Sequence, residues 1–343
     1  MKIIHCGDLH LDSKMESNLP ADKAKIRKNE ILGTFSDMLD YGADKGVSAV
    51  IIAGDMFDTG RISAKTKDFV KSRIEAHKDI TFLLLTGNHD ENNFLVEDKP
   101  DNVFVFSKEN NQMRFGNILI TGLMQDWGGI YQSLSLDPDD INIVVMHGQE
   151  SRSAERETVC LPELQNKNID YLALGHIHSY KCSKLDFRGE YCYCGCLEGR
   201  GFDECGNKGF VLLDIEDKIE HQFIKFAKRS IFEISVPIDS LTSFAQIENA
   251  VNDAVKDISP DSLVKVILTG SIPESLNTDT DFIRSRLNEK FFFAKITDKT
   301  RIFISPEEYL HDISLKGEFI RLVMKSKLQD DEKNSIIATG LRA

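Results

Sequence analysis

The sequence predicts an α/β protein: a two-sheet sandwich flanked by helices, followed by a smaller α+β domain and a helical tail. Three observations predict it. Apolar runs of strand length alternate with helix-patterned segments through the first half, which is how layered α/β structures read in sequence. Strand-like runs with few helices follow up to residue 226, and after Arg229 the hydrophobic pattern starts afresh. The 343 residues are too many for one ordinary core and suit a large domain with a smaller one.

Taken in order, Ile3 to Cys6, Val47 to Ala53 and Thr81 to Thr86 read as buried strands. Between the first two, Ile31, Phe35, Leu39 and Gly42 recur at helical spacing and Gly46 follows, so a helix crosses from one strand to the next. Asn117 to Thr121, Ile141 to Met146, Tyr171 to Leu174, Tyr191 to Gly195, Gly209 to Ile215 and His221 to Phe226 read as a second sheet packed on the first. A new βαβ pattern then begins. It has a strand at Phe232 to Val236, a helix with Leu241, Phe244, Ile247, Val251, Val255 and Ile258 on one face, and a strand at Val264 to Thr269. A helix over Asp281 to Glu289 and strands near Phe291 to Ile296 and Arg301 to Ile304 complete this domain. The tail from Pro306 carries two short amphipathic helices, one with Leu315, Phe319, Leu322 and Val323, the other with Ile336, Ile337 and Leu341. The expected division is 1–230, 231–305 and 306–343.

Composition narrows the class. A hydrophobic fraction of 41% and a charged fraction of 28% are ordinary for a globular protein, and no apolar run approaches the ~20 residues needed to cross a bilayer. Met1 and Lys2 lead straight into strand-like residues, so no leader and a cytoplasmic location are expected. The seven cysteines are odd in number and six of them crowd between Cys160 and Cys205, which argues for reduced thiols rather than a disulfide framework. The net charge of -13 counts against nucleic acid as a partner, because such binders usually present a basic stripe to the phosphates. With 14 basic against 18 acidic residues after residue 230, and 28 against 37 before it, neither part is a basic domain.

Five segments share one design, in which a buried strand ends in Asp, His or Asn beside Gly, where α/β proteins place ligands. They are Gly7-Asp8-Leu9-His10, Gly54-Asp55, Gly87-Asn88-His89-Asp90, Met146-His147-Gly148 and Gly175-His176-Ile177-His178. Mixed carboxylate and imidazole donors suit manganese, iron or zinc better than magnesium or calcium. Alternate residues of an extended segment point the same way, so Asp8 with His10, and His176 with His178, can each present two groups to one place. Asp8, His10, Asp55, Asn88, His147, His176 and His178 are seven donors, too many for one ion, and two adjacent ions follow. A lone Asp-x-His is usually surface polarity, but burying five such elements without an ion would be costly.

The order and spelling of these segments resemble the calcineurin-like metallophosphoesterase superfamily, whose five motifs are matched across residues 8 to 178. The resemblance implies the two-sheet metallophosphoesterase sandwich and two divalent ions, manganese first, with iron or zinc as alternatives. It implies that one ion takes Asp8, His10 and His178, that the other takes Asn88, His147 and His176, and that Asp55 bridges them. His89 then stands over the substrate phosphate, with Asp90 orienting its ring.

Within the superfamily the chain looks most similar to the SbcD-type DNA repair exonucleases. The narrower likeness rests on Asp8-Leu9-His10-Leu11-Asp12-Ser13, on Gly54-Asp55-Met56-Phe57-Asp58 followed by Arg61, and on the stretch from Tyr193 to Glu204 ending in Lys208-Gly209-Phe210. The family more often has Pro-Gly-Ser where this chain has Cys194-Gly195-Cys196. The resemblance implies DNA as substrate, a capping domain over 231–305, and a tail over 306–343 that docks a separate SbcC-like ATPase; it also allows a homodimer. No phosphate-binding loop occurs in the chain, so ATP-driven work would fall to that partner. Two other classes compete: a hydrolase of small phosphodiesters or phosphomonoesters, favoured by the acidity, and a metal-bearing scaffold that holds DNA ends without cutting.

Outside the motifs, Arg61 and Arg200 are candidate phosphate contacts through planar, bidentate donors; Arg152 and Arg156 are weaker ones. Lys65, Lys67, Lys71 and Arg73 lie on one expected helix, where a charge run is usually a solvated face. Cys192, Cys194 and Cys196 alternate along a strand near Cys182 and Cys205 and read as small buried hydrophobes before they read as a zinc or iron-sulfur site. Trp127 reads as core, and His5, His77, His221 and His311 have no motif around them.

Overall fold

The computed structural model describes residues 1–15, 19–58, 62–87, 93–124, 129–153, 155, 158–273, 276–303, 309 and 312–340. Two compact units divide the chain, Met1–Ser230 and Ile231–Ala343. Among the described residues, no helix is long and apolar enough to cross a membrane.

The first unit begins β1 (Lys2–Cys6), α1 (Ala21–Asp44), β2 (Val47–Ala53), α2 (Ala64–Ala76), β3 (Thr81–Leu85), β4 (Val103–Val105), β5 (Gln112–Phe115) and β6 (Ile118–Gly122). It continues with α3 (Ile130–Ser133), β7 (Ile141–His147), β8 (Gln149–Ser151), β9 (Thr158–Cys160), α4 (Leu161–Leu164), β10 (Tyr171–Gly175), β11 (Lys181–Lys184), β12 (Glu190–Tyr193), β13 (Gly209–Ile215) and β14 (Ile219–Lys225). Two six-stranded sheets result, ordered β14-β13-β1-β2-β3-β4 and β11-β12-β10-β7-β6-β5.

Alternate residues of each strand meet between the sheets. Ala49, Ile51 and Ala53 of β2, Leu83 and Leu85 of β3, Ile143 and Val145 of β7, and Tyr171 and Ala173 of β10 share one buried core. The intervening residues are buried too. Val144, Met146, Leu172 and Leu174 enter a second cluster with Tyr131, Val159 and Leu164 on the outer face of the second sheet. Burial on both faces is why these strands read as continuous apolar runs rather than alternating ones.

The sequence reads Gly209 to Ile215 and His221 to Phe226 as part of the second sheet, but β13 pairs antiparallel with β1 (Lys2↔Asp214, His5↔Val211) and β14 pairs with β13, so both extend the first. β1 uses its other edge for β2, leaving one edge to be paired. An apolar run states that a strand is buried, and it carries no information about which open edge receives it.

The second unit contains β15 (Ile231–Pro237), α5 (Phe244–Ala254), β16 (Leu263–Thr269), β17 (Ser271–Pro273), α6 (Thr280–Lys290), β18 (Phe293–Asp298) and β19 (Arg301–Phe303), then α7 (Leu315–Met324) and α8 (Asp330–Gly340). β15, β16 and β18 form a parallel sheet, and α5 starts with a reciprocal capping box of Ser243 and Gln246. In the tail Ile320 and Ile337 form a small core with Ile302, Tyr309, Phe319, Val323 and Met324. The stripe read from the sequence is therefore divided: Phe319 and Val323 turn inward, while Leu315 and Leu322 are 88% and 60% exposed. Leu341 lies outside the described residues.

Candidate metal centre

Four of the five motif segments, and Gly87 of the fifth, follow the C-terminal ends of neighbouring parallel strands, β1, β2 and β3 in one sheet and β7 and β10 in the other. The chain must turn sharply there. Asp8, His10, Asp55 and His176 all take positive φ (49°, 44°, 50° and 95°), a conformation that non-glycine residues rarely adopt and that gathers at functional sites. Two glycines are required by close approach. Gly54 has φ 84° and any Cβ on it would overlap the His147 ring, and a Cβ on Gly175 would overlap the Ala53 carbonyl oxygen.

Asp8, His10, Asp55 and His147 are at most 7% exposed. Their donor atoms converge in two overlapping groups, Asp8 with His10 and His178, and Asp8 with Asp55 and His147, each within 4.8 Å. His10 Nε2 and His178 Nε2 face each other at 3.2 Å. Behind them, His10 Nδ1 lies 3.2 Å from Asp58 Oδ1 and His178 Nδ1 lies 2.7 Å from Glu204 Oε1. His147 follows the same plan: Nδ1 is 2.9 Å from the Ala53 carbonyl and Nε2 is 3.4 Å from Asp55 Oδ2. Each imidazole thus has one nitrogen held by a backbone or carboxylate oxygen and the other aimed into the site, the arrangement that fixes the tautomer of a metal-binding histidine. Both Asp8 oxygens accept the His176 backbone N–H, at 2.8 and 2.9 Å. The His176 ring stands edge-on to His147 with centroids 5.3 Å apart.

Without a cation these groups oppose their own burial. Desolvation pushes the Asp8 carboxyl up to about 6. Burial opposes a charge on His147, but Asp55 and Asp8 outweigh it and hold that imidazole up to about 9. Burial lowers His10 despite Asp58. A divalent cation accepting from these oxygens and imidazole nitrogens would resolve the conflict. The residues present therefore fit an ion, and the share of Asp8 in both groups fits two ions side by side.

Arg200, a candidate phosphate contact by sequence, is engaged by carboxylates. Its Nη1 donates to Asp58 Oδ1 at 2.6 Å, and its Nε and Nη2 donate to Glu204 Oε1 at 3.1 and 2.8 Å. Burial would raise the Glu204 carboxyl, yet its bonds to His178 and Arg200 hold it well below the usual carboxylate range. Asp58 and Glu204 lie in the motif stretches, where the sequence pattern gives them no role. The available signal was a carboxylate three residues after Asp55 and another at the end of the loop that starts at Gly195. Asn88, His89, Asp90, Arg61, Arg156, Trp127 and His311 lie outside the described residues. On α2, Lys71 donates to Asp98 and Arg73 to Asp40, so half of the expected basic run is neutralised internally.

Comparison with known proteins agrees with this geometry. The family model described as calcineurin-like phosphoesterase matches residues 1–180, more than half of the chain. The chain is 25% identical over 303 residues to an uncharacterized metallophosphoesterase, YhaO, of Bacillus subtilis, covering 80% of this chain and 73% of the relative. It is 22% identical over 302 residues to the DNA double-strand break repair protein Mre11 of Sulfolobus acidocaldarius, covering 80% and 76%. For the Mre11 of Methanosarcina acetivorans the figures are 22% over 329 residues, covering 90% of this chain and 52% of the relative. A solved dimetal phosphatase from Danio rerio overlaps 66% of this chain and 99% of its own at 11% identity, with a TM-score of 0.44. With the family model matching more than half of its length, and with Asp8, His10, Asp55, His147 and His178 gathering their donor atoms at the strand ends, the chain belongs to the calcineurin-like phosphoesterase family.

Proposed function

We propose that this phosphoesterase is a DNA nuclease: a two-ion, manganese-dependent phosphodiester hydrolase working as the nuclease subunit of a double-strand-break processing complex. The observation that carries the chemistry is the set of three imidazoles, His10, His147 and His178, each oriented from behind and aimed at Asp8 and Asp55. Two divalent ions in such a site supply an acidified water and neutralise charge on the phosphate during in-line displacement. In this reading Asp8, His10 and His178 would hold one ion and Asn88, His147 and His176 the other, with Asp55 shared by both. His89 would act on the substrate phosphate and deliver a proton to the leaving alkoxide, and Asp90 would orient it.

DNA is favoured over other phosphate esters by the extent of the likeness to the Mre11 proteins. An alignment of 302 residues exceeds the 230 of the first unit and must enter the second, and a small substrate would not need that unit. A separate ATPase as partner is favoured by the exposed Leu315 and Leu322 on α7. A second reading, hydrolysis of small phosphodiesters or phosphomonoesters, draws on the net charge of -13. Purified protein with manganese is given, in parallel, end-labelled duplex DNA, end-labelled single strands and a chromogenic phosphodiester. Shortened DNA confirms the nuclease; turnover of the chromogenic ester with both DNA substrates intact replaces it with the second reading.

A further inference from the structure

A second cluster of metal-binding chemistry lies in the first unit, on elements the centre above does not use. Cys182 of β11, Glu190 of β12 and His221 of β14 bring Sγ, a carboxylate oxygen and a ring nitrogen within 4.8 Å of one another. His221 Nδ1 lies 2.6 Å from Glu190 Oε1, with the two side chains 20% and 24% exposed. The Tyr180 hydroxyl is 3.4 Å from His221 Nε2. Cys192 stands directly across the ladder from Cys182 and is fully buried.

The geometry points to a single-ion site for a thiophilic divalent cation of the zinc class, held by Cys182, Glu190 and His221 with a fourth position open to water. The donor set is the argument. Sulfur, imidazole and carboxylate together match zinc, and three protein ligands with one open place is a familiar zinc count. A histidine and glutamate pairing for its own sake needs no sulfur beside it. Charge also balances: the thiolate and the carboxylate neutralise a divalent ion, so the half-buried site carries no net charge once Cys182 has released its proton to solvent.

The location gives the ion a task. β14 is the outer strand of the first sheet and β11 the outer strand of the second, so one ion fastens the two sheets together at their open edges. β11 starts three residues after His178, and the clasp therefore anchors the strand that leaves the His176–His178 loop. This inference is independent of the substrate assigned above.

Cobalt is the probe that separates the two sites, because a thiolate ligand gives a sulfur-to-cobalt charge-transfer band and the Asp/His centre has no sulfur to give one. Reduced, metal-stripped full-length protein is titrated with cobalt and followed by absorption, with circular dichroism reporting the fold. The expected result is a charge-transfer band whose final amplitude corresponds to one cobalt-thiolate site per chain, lost in Cys182→Ser, weakened in Glu190→Gln and His221→Gln, and retained in His147→Ala. Zinc should displace the cobalt and bleach the band. No band in the folded wild-type protein overturns the site, as does a band that survives Cys182→Ser.

Discussion

At the scale of single residues, what an imidazole can do is set by the nitrogen that faces away from the site. Glu204 is the least conspicuous member of the centre and among the most consequential: it holds His178 Nδ1 at 2.7 Å and is itself held by Arg200. Glu204→Gln keeps the shape but removes the charge that raises the basicity of His178. The expected outcome is metal affinity lower by on the order of 10- to 100-fold, with turnover of a chromogenic phosphodiester largely restored at saturating manganese. Turnover that metal does not restore would make Glu204 part of the fold rather than of the ion's support. His89, in the reading proposed above, touches the substrate and not the ions. His89→Ala should keep both ions by elemental analysis and lower kcat by about 10²- to 10⁴-fold on an ester with a poor leaving group.

At the scale of elements, α1 is tied to the segment between β12 and β13 and to the residues after β14 through a buried ion network. Arg27, 0% exposed, donates to Glu198 at 2.7 Å and to Glu30 at 2.6 Å. Glu198 also accepts from Thr34 and from the Lys228 backbone, and Arg229 closes on Glu30. Breaking such a pair strands a charge, so Arg27→Ala should cost about 3–5 kcal/mol, read as a loss in urea unfolding free energy. The network also sets an acid limit. Burial raises the Glu30 carboxyl, but Arg229 and Arg27 outweigh it and hold it below its usual range. A depressed carboxyl stabilises the fold above its ordinary pKa of 4.5 and ceases to do so as pH falls through its folded value. Metal-free wild type should therefore lose stability below about pH 4.5, and Glu30→Gln should flatten that decline; an unchanged slope would assign the acid limit to other groups.

At the scale of the molecule, the tail is both a structural piece and a candidate contact surface. Ile320 and Ile337 complete a core with Ile302 of β19, so deleting everything after residue 305 would damage the second unit along with any docking surface. Point changes on the outward side separate the two. Leu315→Asp with Leu322→Asp, at positions 88% and 60% exposed, should leave Tm and small-ester turnover unchanged while abolishing co-purification with a partner ATPase. Retained co-purification would limit α7 to covering its own unit.

The sequence by itself determined the two-sheet class, the fresh start after Arg229 and the four described motif segments whose Asp and His residues converge. Those are properties of local pattern: burial of a strand on both faces demands an unbroken apolar run, and a sharp turn into a crowded site demands glycine. Tertiary structure decided what no local pattern carries. It placed β13 and β14 on the open edge of β1, turned Arg200 onto Asp58 and Glu204, and brought Cys182, Glu190 and His221 together from three strands of two different sheets. Each of these is a contact between residues far apart in the chain, fixed by which edges pair and which faces meet. Pairing energy depends on both partners at once, and a single stretch of sequence specifies only its own half.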